Sequence, residues 1–354
     1  MTPFQREMTC VENAVAGMAG KTVVFWGAGR RMRGFLKTEC VENKRVPMPD
    51  YICDSTRDIA ESRIEGVPVI GFDQVRKMNT ADTVIVITAG LLELQAQVVP
   101  SELYYFPIYH VRSFEAWAFL RDNLDDFMRV YDMLADDHSR DVYATLFRNL
   151  LNGSMWCQSL FEPEPYFAND VIGDLDDADR LVLAGAFNGK HVDRALANNP
   201  RVHIDAFEPN AIWFQYLCNK YSDKPNVVVH DKILWDKPDR LGFDGDMLHG
   251  GLDAHVSAAD TNFDVVVDGI SIDTYLPEKP TLIALDVEGS EAKVIQGSAK
   301  LIAQSRPKLT LCLYHGLRDF IDLPLMIHGM DGEYKLYAKH HSCLTAIETV
   351  LYAV

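Results

Sequence analysis

The sequence predicts an α/β protein with two Rossmann-like domains, because the order of apolar strand, glycine turn and helix occurs twice. The first occurrence is KTVVFWGAGRRMRGFL, which begins at residue 21, and the second is RLVLAGAFNGK, which begins at residue 180. A third observation is LIALDVEGSEAKVIQ, residues 282–296, where an apolar run of strand length changes abruptly to acids. Ligands of such sheets bind at the carboxyl ends of the strands, so the acids indicate a site.

Composition limits the classes of function. The chain has 354 residues and a formal net charge of −17, without a compensating Lys/Arg stripe, so nucleic acid is not an expected partner. No apolar run has the length of a membrane span, and the first twenty residues lack the pattern of a signal peptide. The seven cysteines form no CxxC pair, which indicates reduced thiols. A cytoplasmic protein without a membrane partner is expected.

The changes of pattern divide the chain into three segments. Residues 1–110 carry the first alternating pattern and are predicted to form an N-terminal Rossmann-like domain. Residues 111–170 have long helical periodicity, with Phe114, Trp117 and Phe127 at helix-face spacing, and predict a helical connector. Aromatic residues at this spacing are usually core residues. Residues 171–354 carry the second alternating pattern and are predicted to form the C-terminal domain.

The first domain has a weak nucleotide-binding signal. Gly27 and Gly29 follow the first strand, and Asp54 ends the next extended segment, but GAGRRMRG is not the dinucleotide fingerprint. Binding of a nucleotide or nucleotide-sugar and a purely packing role both remain open. An enzyme that uses NAD at this loop is a further alternative.

The second domain contains seven extended segments. The last three lie close together in the chain, which favours antiparallel pairing at one edge of the sheet. The segments are RLVLA, RVHIDAF, NVVVH, TLIALD, KLTLCLY, EYKLYAK and ETVLYAV.

Three strand ends of the second domain carry residues that suit a nucleoside ligand. Small residues in the loop Gly185-Ala186-Phe187-Asn188-Gly189 allow backbone amides to approach a ligand. Glu208 follows about twenty residues later at the end of the next strand, where an acid can bind both ribose hydroxyls. Asp286 stands at the third strand end. These three groups are expected to converge on one crevice.

The segments GAFNG, AFEPN, DVEGSE, RPKLTLCLYH and HHS…ETVLYA together resemble the FkbM-family methyltransferases. The resemblance covers the C-terminal half and extends into the connector. It implies a seven-stranded class I methyltransferase fold and transfer of a methyl group from S-adenosylmethionine to a hydroxyl of a sugar, glycan or secondary metabolite. By this resemblance the loop 185–189 borders the methionine part of the cofactor, Glu208 with Pro209 and Asn210 binds the ribose side, and Asp286 lies near the sulfonium.

Two positions depart from the family pattern. Many relatives have Asp two positions before the first loop glycine, where this chain has Leu183, and Lys two positions before the later Asp, where it has Ala284. An acid near the methionine amino group would supply a charge-assisted hydrogen bond. The alternative to an enzyme is therefore a catalytically degenerate methyltransferase-like module that recognises a nucleotide or nucleotide-sugar.

Methyl transfer to a hydroxyl needs alignment and a base. His315 follows the strand KLTLCLY and is the predicted base, with Asp286 as the second choice. Glu288, Glu291 and His341 are predicted to contact the acceptor, and the loop 242–261 to select it. An acidic cluster also suits Mg²⁺, but DxExxE spacing is not a defined metal signature, so no metal is predicted. The expected partner is a small-molecule or glycan acceptor, and a homo-oligomer stays open.

Overall fold

Two parallel-based sheets organise the chain in this computed structural model. It describes residues 4–54, 63–88, 108–153, 157–163, 165–168, 170–244, 255–258, 265–342 and 348–354. Residues 1–124 with 144–155 form one unit, here the N-terminal unit, and residues 125–143 with 156–354 form another, the C-terminal unit. The predicted domain boundaries at residues 110 and 170 stay a prediction.

The N-terminal unit is built on a six-stranded sheet in the order β3-β4-β2-β1-β5-β6. Strand β1 is parallel to β2 and β5, and its apolar sequence VVFW is buried on both faces. This sheet is the predicted Rossmann-like arrangement. Its strands are β1 (Thr22–Trp26), β2 (Tyr51–Cys53), β3 (Arg63–Ile64), β4 (Val67–Ile70), β5 (Thr83–Ile87) and β6 (Ile108–His110), and its helical segments are Gln5–Ala16, Arg30–Phe35, Leu36–Glu42 and Phe72–Val75.

Two long helices occupy the segment predicted as a helical connector. They are Val111–Met133, which is kinked at Asn123, and Asp137–Leu151. A short 3₁₀ turn, Gln158–Leu160, follows. Phe114, Trp117 and Phe127 are buried, as the helix-face spacing predicted.

The C-terminal unit contains the predicted seven-stranded sheet, in the order β16-β17-β15-β14-β7-β8-β9. Strand β17 is antiparallel to β15 and β16, and the pairs from β15 to β9 are parallel. Both the number of strands and the antiparallel edge confirm the prediction. The strands are β7 (Arg180–Ala184), β8 (His203–Phe207), β9 (Val227–His230), β14 (Leu282–Leu285), β15 (Lys308–Cys312), β16 (Leu336–His340) and β17 (Thr349–Ala353).

The order of these strands brings the sequence motifs to one edge of the sheet. Strand β7 lies between β14 and β8, and β14 lies beside β15. Because all four strands are parallel, the loop 185–189, Glu208, Asp286 and His315 follow strands that end at the same edge. The helices of this unit are Lys190–Asn198, Ala211–Lys220, Ile272–Tyr275, Glu291–Gln296, Ala299–Ser305 and Asp319–Met330.

A second, four-stranded sheet was not predicted. Its order is β10-β13-β11-β12, from Ile233–Leu234 (β10), Asp239–Asp244 (β11), His255–Ala258 (β12) and Val265–Ile270 (β13). Residues 242–244 and 255–258 of the predicted acceptor loop are therefore strand, because β11 pairs with both β12 and β13. The rest of that loop lies outside the described residues.

Within the described part of the chain, the helices lack the combination of length and apolar character that crossing a bilayer requires.

Candidate functional site

The glycine loop after β7 packs tightly against the end of β14. Gly185 has φ +77°, and a Cβ at this position would lie 1.9 Å from the carbonyl oxygen of Asp286. The backbone N–H groups of Gly185 and Ala186 both donate to the carbonyl oxygen of Phe207 at 3.1 Å. Glycine is thus required at residue 185 by conformation and by space, and the loop is held between its two neighbouring strands.

Glu208 joins the loop to the helix Ala211–Lys220. Its side chain is buried, with 6% exposure. One carboxylate oxygen accepts from the backbone N–H of Phe187 and the other from that of Asn210, each at 2.8 Å. Burial raises the pKa of Glu208, and the two backbone hydrogen bonds oppose that rise. The carboxylate keeps lone pairs for further donors, as a ribose-binding acid needs.

The other residues predicted to bind the cofactor make structural contacts that differ from one another. The side-chain oxygen of Asn210 accepts from the N–H groups of Ile212 and Trp213 and so caps the helix. Pro209 is half-buried beside it, and Asn188 is exposed, with its side chain bonded to the N–H of Lys190. The loop backbone and Glu208 therefore form the core of the predicted cofactor site.

Asp286 is the centre of a polar cluster at the end of β14. Its Oδ2 accepts from the Tyr166 hydroxyl at 2.9 Å, and the Tyr314 hydroxyl lies 3.1 and 3.2 Å from its two oxygens. The Nε2 atom of His315 lies 3.3 Å from Oδ1. Burial opposes ionisation of Asp286, but the hydrogen bonds from His315 and Tyr166 outweigh it and lower the pKa. Asp286 is thus a charged, partly exposed acceptor at the carboxyl end of β14.

His315 is surrounded by three carboxylates. Its Nδ1 lies 3.0 Å from Glu291 Oε1, and its Nε2 lies 3.3 Å from Asp286 and 3.4 Å from Glu288. Burial lowers the pKa of His315, yet the hydrogen bonds to Asp286 and Glu291 dominate and raise it to about 10. An imidazolium at neutral pH has no free lone pair, so these surroundings do not suit His315 to the predicted role of base.

Glu291 and Glu288 differ in the solvent exposure of their side chains. Glu291 is 1% exposed, and its Oε1 accepts from the backbone N–H of Val287 as well as facing His315. This burial places Glu291 where it can orient the imidazole, and its contact with an acceptor stays a prediction. Glu288 is half-buried, at φ +53°, and its Oε2 lies 3.4 Å from His315 Nε2.

His341 is a further residue that was predicted to contact the acceptor. It is buried, its Nδ1 lies 2.8 Å from the carbonyl oxygen of Glu162, and its Nε2 lies 2.9 Å from the Tyr352 hydroxyl. Both ring nitrogens are therefore used inside the protein. These contacts give His341 a packing role, and its contact with an acceptor stays a prediction.

Replacing His341 by alanine is expected to lower the free energy of unfolding by about 2 kcal/mol or more, because it removes a hydrogen-bond partner of the buried Tyr352 hydroxyl and opens a cavity. Urea unfolding measures the effect. His203→Ala, which removes an exposed imidazole from β8, is the control and should change stability little. Equal stability of the two variants would contradict the packing role.

Three residues of the cluster were not singled out from the sequence. The hydroxyls of Tyr166 and Tyr314 donate to Asp286. The ring of His191 packs edge-on against the ring of Tyr166, with the ring centroids 4.2 Å apart. Burial lowers the pKa of His191 to about 4, so this imidazole is neutral near pH 7. A weak sequence signal for two of these residues was their position, because His191 closely follows the glycine loop and Tyr314 directly precedes His315.

The two departures from the family pattern are register partners. Leu183 of β7 pairs with Ala284 of β14, and both belong to the apolar core beneath the polar cluster. An acid and a base at these positions would face each other as a charge pair. Removing both together leaves no buried charge without a partner.

The N-terminal unit brings its predicted loop residues together. The N–H of Ala28, between Gly27 and Gly29, donates to Asp54 Oδ2 at 2.9 Å. Gly27 has φ +112°, and Gly29 precedes the first turn of the helix Arg30–Phe35. Residues 55–62 and 89–107, which follow β2 and β5, lie outside the described residues, so a ligand for this loop stays a prediction.

The chain is similar to known methyltransferases in sequence and in fold. Residues 184–341 match the family model of the methyltransferase FkbM domain. No curated protein matches the sequence. A solved structure of a methyltransferase FkbM from Methylobacillus flagellatus KT is similar with a TM-score of 0.64 at 20% identity, covering 99% of this chain and 100% of that one. This likeness concerns the fold.

Fibrillarin from Aeropyrum pernix, solved with natively bound S-adenosyl-L-methionine, is similar at 14% identity with a TM-score of 0.30, covering 50% of this chain and 66% of that one. So low a score carries no argument about ligands. The family model and the seven-stranded sheet agree with the motifs GAFNG, AFEPN and DVEGSE. Residues 184–341 of the chain are therefore similar to the methyltransferase FkbM domain in sequence motifs and in fold.

Proposed function

We propose that the protein is an S-adenosylmethionine-dependent O-methyltransferase that acts on a hydroxyl of a sugar, glycan or similar small molecule. The observation that carries the proposal is the buried carboxylate of Glu208 beside the loop 185–189, with only β7 between its strand, β8, and the strand β14 that ends at Asp286. This order provides a nucleoside-binding half and an acceptor-binding half along the same sheet edge.

The residues fit the cofactor chemically. Glu208 is held by two backbone N–H groups and has lone pairs left for the two ribose hydroxyls. In the loop, Gly185, Ala186 and Gly189 have no side chain larger than a methyl group, which leaves room for the methionine part. When bound, S-adenosylmethionine supplies a methyl group on a positively charged sulfur, which needs no further activation.

The chain's own residues would orient the acceptor and receive its proton. Asp286 is ionised, and the side chains of Asp286 and Glu288 are 24% and 27% exposed, so both can accept a hydrogen bond from an acceptor hydroxyl. Tyr166 and Tyr314 hold the Asp286 carboxylate in place. Orientation of this kind supplies much of the rate enhancement in a displacement reaction.

The degenerate binding module remains the second candidate, because Leu183 and Ala284 are apolar where relatives carry charge. Their pairing in the core argues that the two changes compensate each other structurally. The cost to cofactor affinity is the loss of one charge-assisted hydrogen bond, about 1.5–3 kcal/mol.

Calorimetric titration of the full chain tests the proposal. We expect saturable binding of S-adenosylmethionine and S-adenosylhomocysteine with micromolar Kd, and weaker or no binding of NAD. Transfer of a radiolabelled methyl group to members of a sugar and glycan panel then identifies the acceptor. Failure of both adenosyl ligands to bind, with clear binding of NAD or a nucleotide-sugar, would contradict the proposal and favour the binding module.

A further inference from the structure

We infer that Asp286, Glu288 and His315 form a binding site for one divalent cation at the carboxyl ends of β14 and β15. Each residue offers one ligand atom, and the three atoms lie within 4.8 Å of one another. Two donors come from the turn after β14 and the third from the residue that follows β15 by three positions. The spacing DxExxE did not predict this set, because its third donor comes from another strand.

The orientation of His315 matches that of a metal ligand. A histidine that binds a metal through one ring nitrogen usually donates its other N–H to a carboxylate, which fixes the ring. Here Nδ1 faces the carboxylate of Glu291 at 3.0 Å, and Nε2 faces Asp286 and Glu288 at 3.3 and 3.4 Å. A cation takes the place of the Nε2 proton between the same three side chains.

The charge of the cluster also favours a cation. Three carboxylates surround one imidazole, so the group carries excess negative charge even with a protonated ring. Glu291 is 1% exposed, and its Oε2 has no hydrogen-bond partner among the described residues. A buried carboxylate with an unsatisfied oxygen is costly, and a divalent ion held by the adjacent imidazole would stabilise it.

The donor set indicates the class of ion. Two carboxylates and one imidazole, with sites left for water or substrate, suit Mg²⁺ or Mn²⁺. The side chains of Asp286 and Glu288 are 24% and 27% exposed, so the ion has an open side. Resting on the proposed function, this open side would hold the acceptor hydroxyl and lower its pKa, so that its proton could pass to solvent water. The acceptor oxygen would then bond to the methyl carbon as the carbon–sulfur bond breaks and S-adenosylhomocysteine leaves. Acceptors with two adjacent hydroxyls would bind best.

The test is a titration of the tag-free full chain with Mn²⁺ alone, followed by electron paramagnetic resonance of the free ion and carried out without cofactor. We expect one saturable site, competition by Mg²⁺, and an affinity lowered at least tenfold in Glu288→Gln. Glu333→Gln makes the same chemical change at an exposed residue before β16, at the opposite edge of the sheet, and should bind Mn²⁺ like the parent.

A second variant tests the orienting carboxylate. Glu291→Gln is expected to weaken Mn²⁺ binding about tenfold, because it weakens the hydrogen bond that fixes the imidazole. Absence of saturable Mn²⁺ binding, or equal binding by Glu288→Gln and Glu333→Gln, would overturn the site. If the same preparation still binds S-adenosylmethionine, that result removes the cation site and leaves the proposed methyltransferase function intact.

Discussion

Replacing Glu208 by glutamine is expected to weaken the binding of S-adenosylmethionine by about a hundredfold. A hydrogen bond to a charged group contributes about 1.5–3 kcal/mol, and the two ribose hydroxyls would lose the carboxylate together. A loss of about 3 kcal/mol corresponds to about a hundredfold change in Kd. The amide also places a donor against the N–H of Phe187 or Asn210, which loosens the loop.

Calorimetry of the variant and the parent measures this effect, and circular dichroism establishes that the fold is kept. Glu333→Gln serves as the control, because it removes a carboxylate from an exposed position at the far edge of the same sheet. Unchanged affinity in a folded Glu208→Gln variant would show that the ribose lies elsewhere.

Replacing Gly185 by alanine is expected to destabilise the C-terminal unit by about 3 kcal/mol or more. The left-handed φ of +77° by itself costs a residue with a Cβ about 1–2 kcal/mol. In addition, the new Cβ would lie 1.9 Å from the carbonyl oxygen of Asp286, and backbone must move to relieve that clash. The movement would separate the ends of β7 and β14 and shift Asp286 within its cluster.

Gly173→Ala separates the two contributions. Gly173 lies in the same unit at φ +78°, and its Cβ would meet no atom within 4 Å. This control should therefore lose only the conformational part. Urea unfolding of both variants measures the difference in free energy of unfolding, and equal losses would contradict the steric part of the prediction.

The sequence predicted those strands and helices that a local pattern of apolar residues encodes. The segments RLVLA and LIAL are continuous apolar runs because both faces of their strands are covered, and each became a strand. The four-stranded sheet was missed because its strands β11 and β12 mix glycine, charged and polar residues, and their pairing depends on neighbours distant in sequence.

In the candidate site, too, local sequence patterns predicted positions but not packing. The position of Gly185, Glu208 and Asp286 at one edge of the sheet was predictable, because each follows a parallel strand, while their roles stay predictions. The burial of Glu291 and His341 was not predictable, because burial is decided by packing. Glu291 begins a helix and looks like an ordinary exposed acid in sequence, yet it lies behind His315 with 1% exposure.

The sequence by itself determined the α/β class, the seven strands of the C-terminal sheet and the edge at which the functional groups gather. Hydrophobic periodicity and turn residues act over a few neighbouring positions, so they are legible without coordinates. Only the tertiary structure decided that His315 lies among three carboxylates and that Leu183 faces Ala284. Those contacts arise from the order and register of β7, β14 and β15, and strand order is a property of the whole sheet.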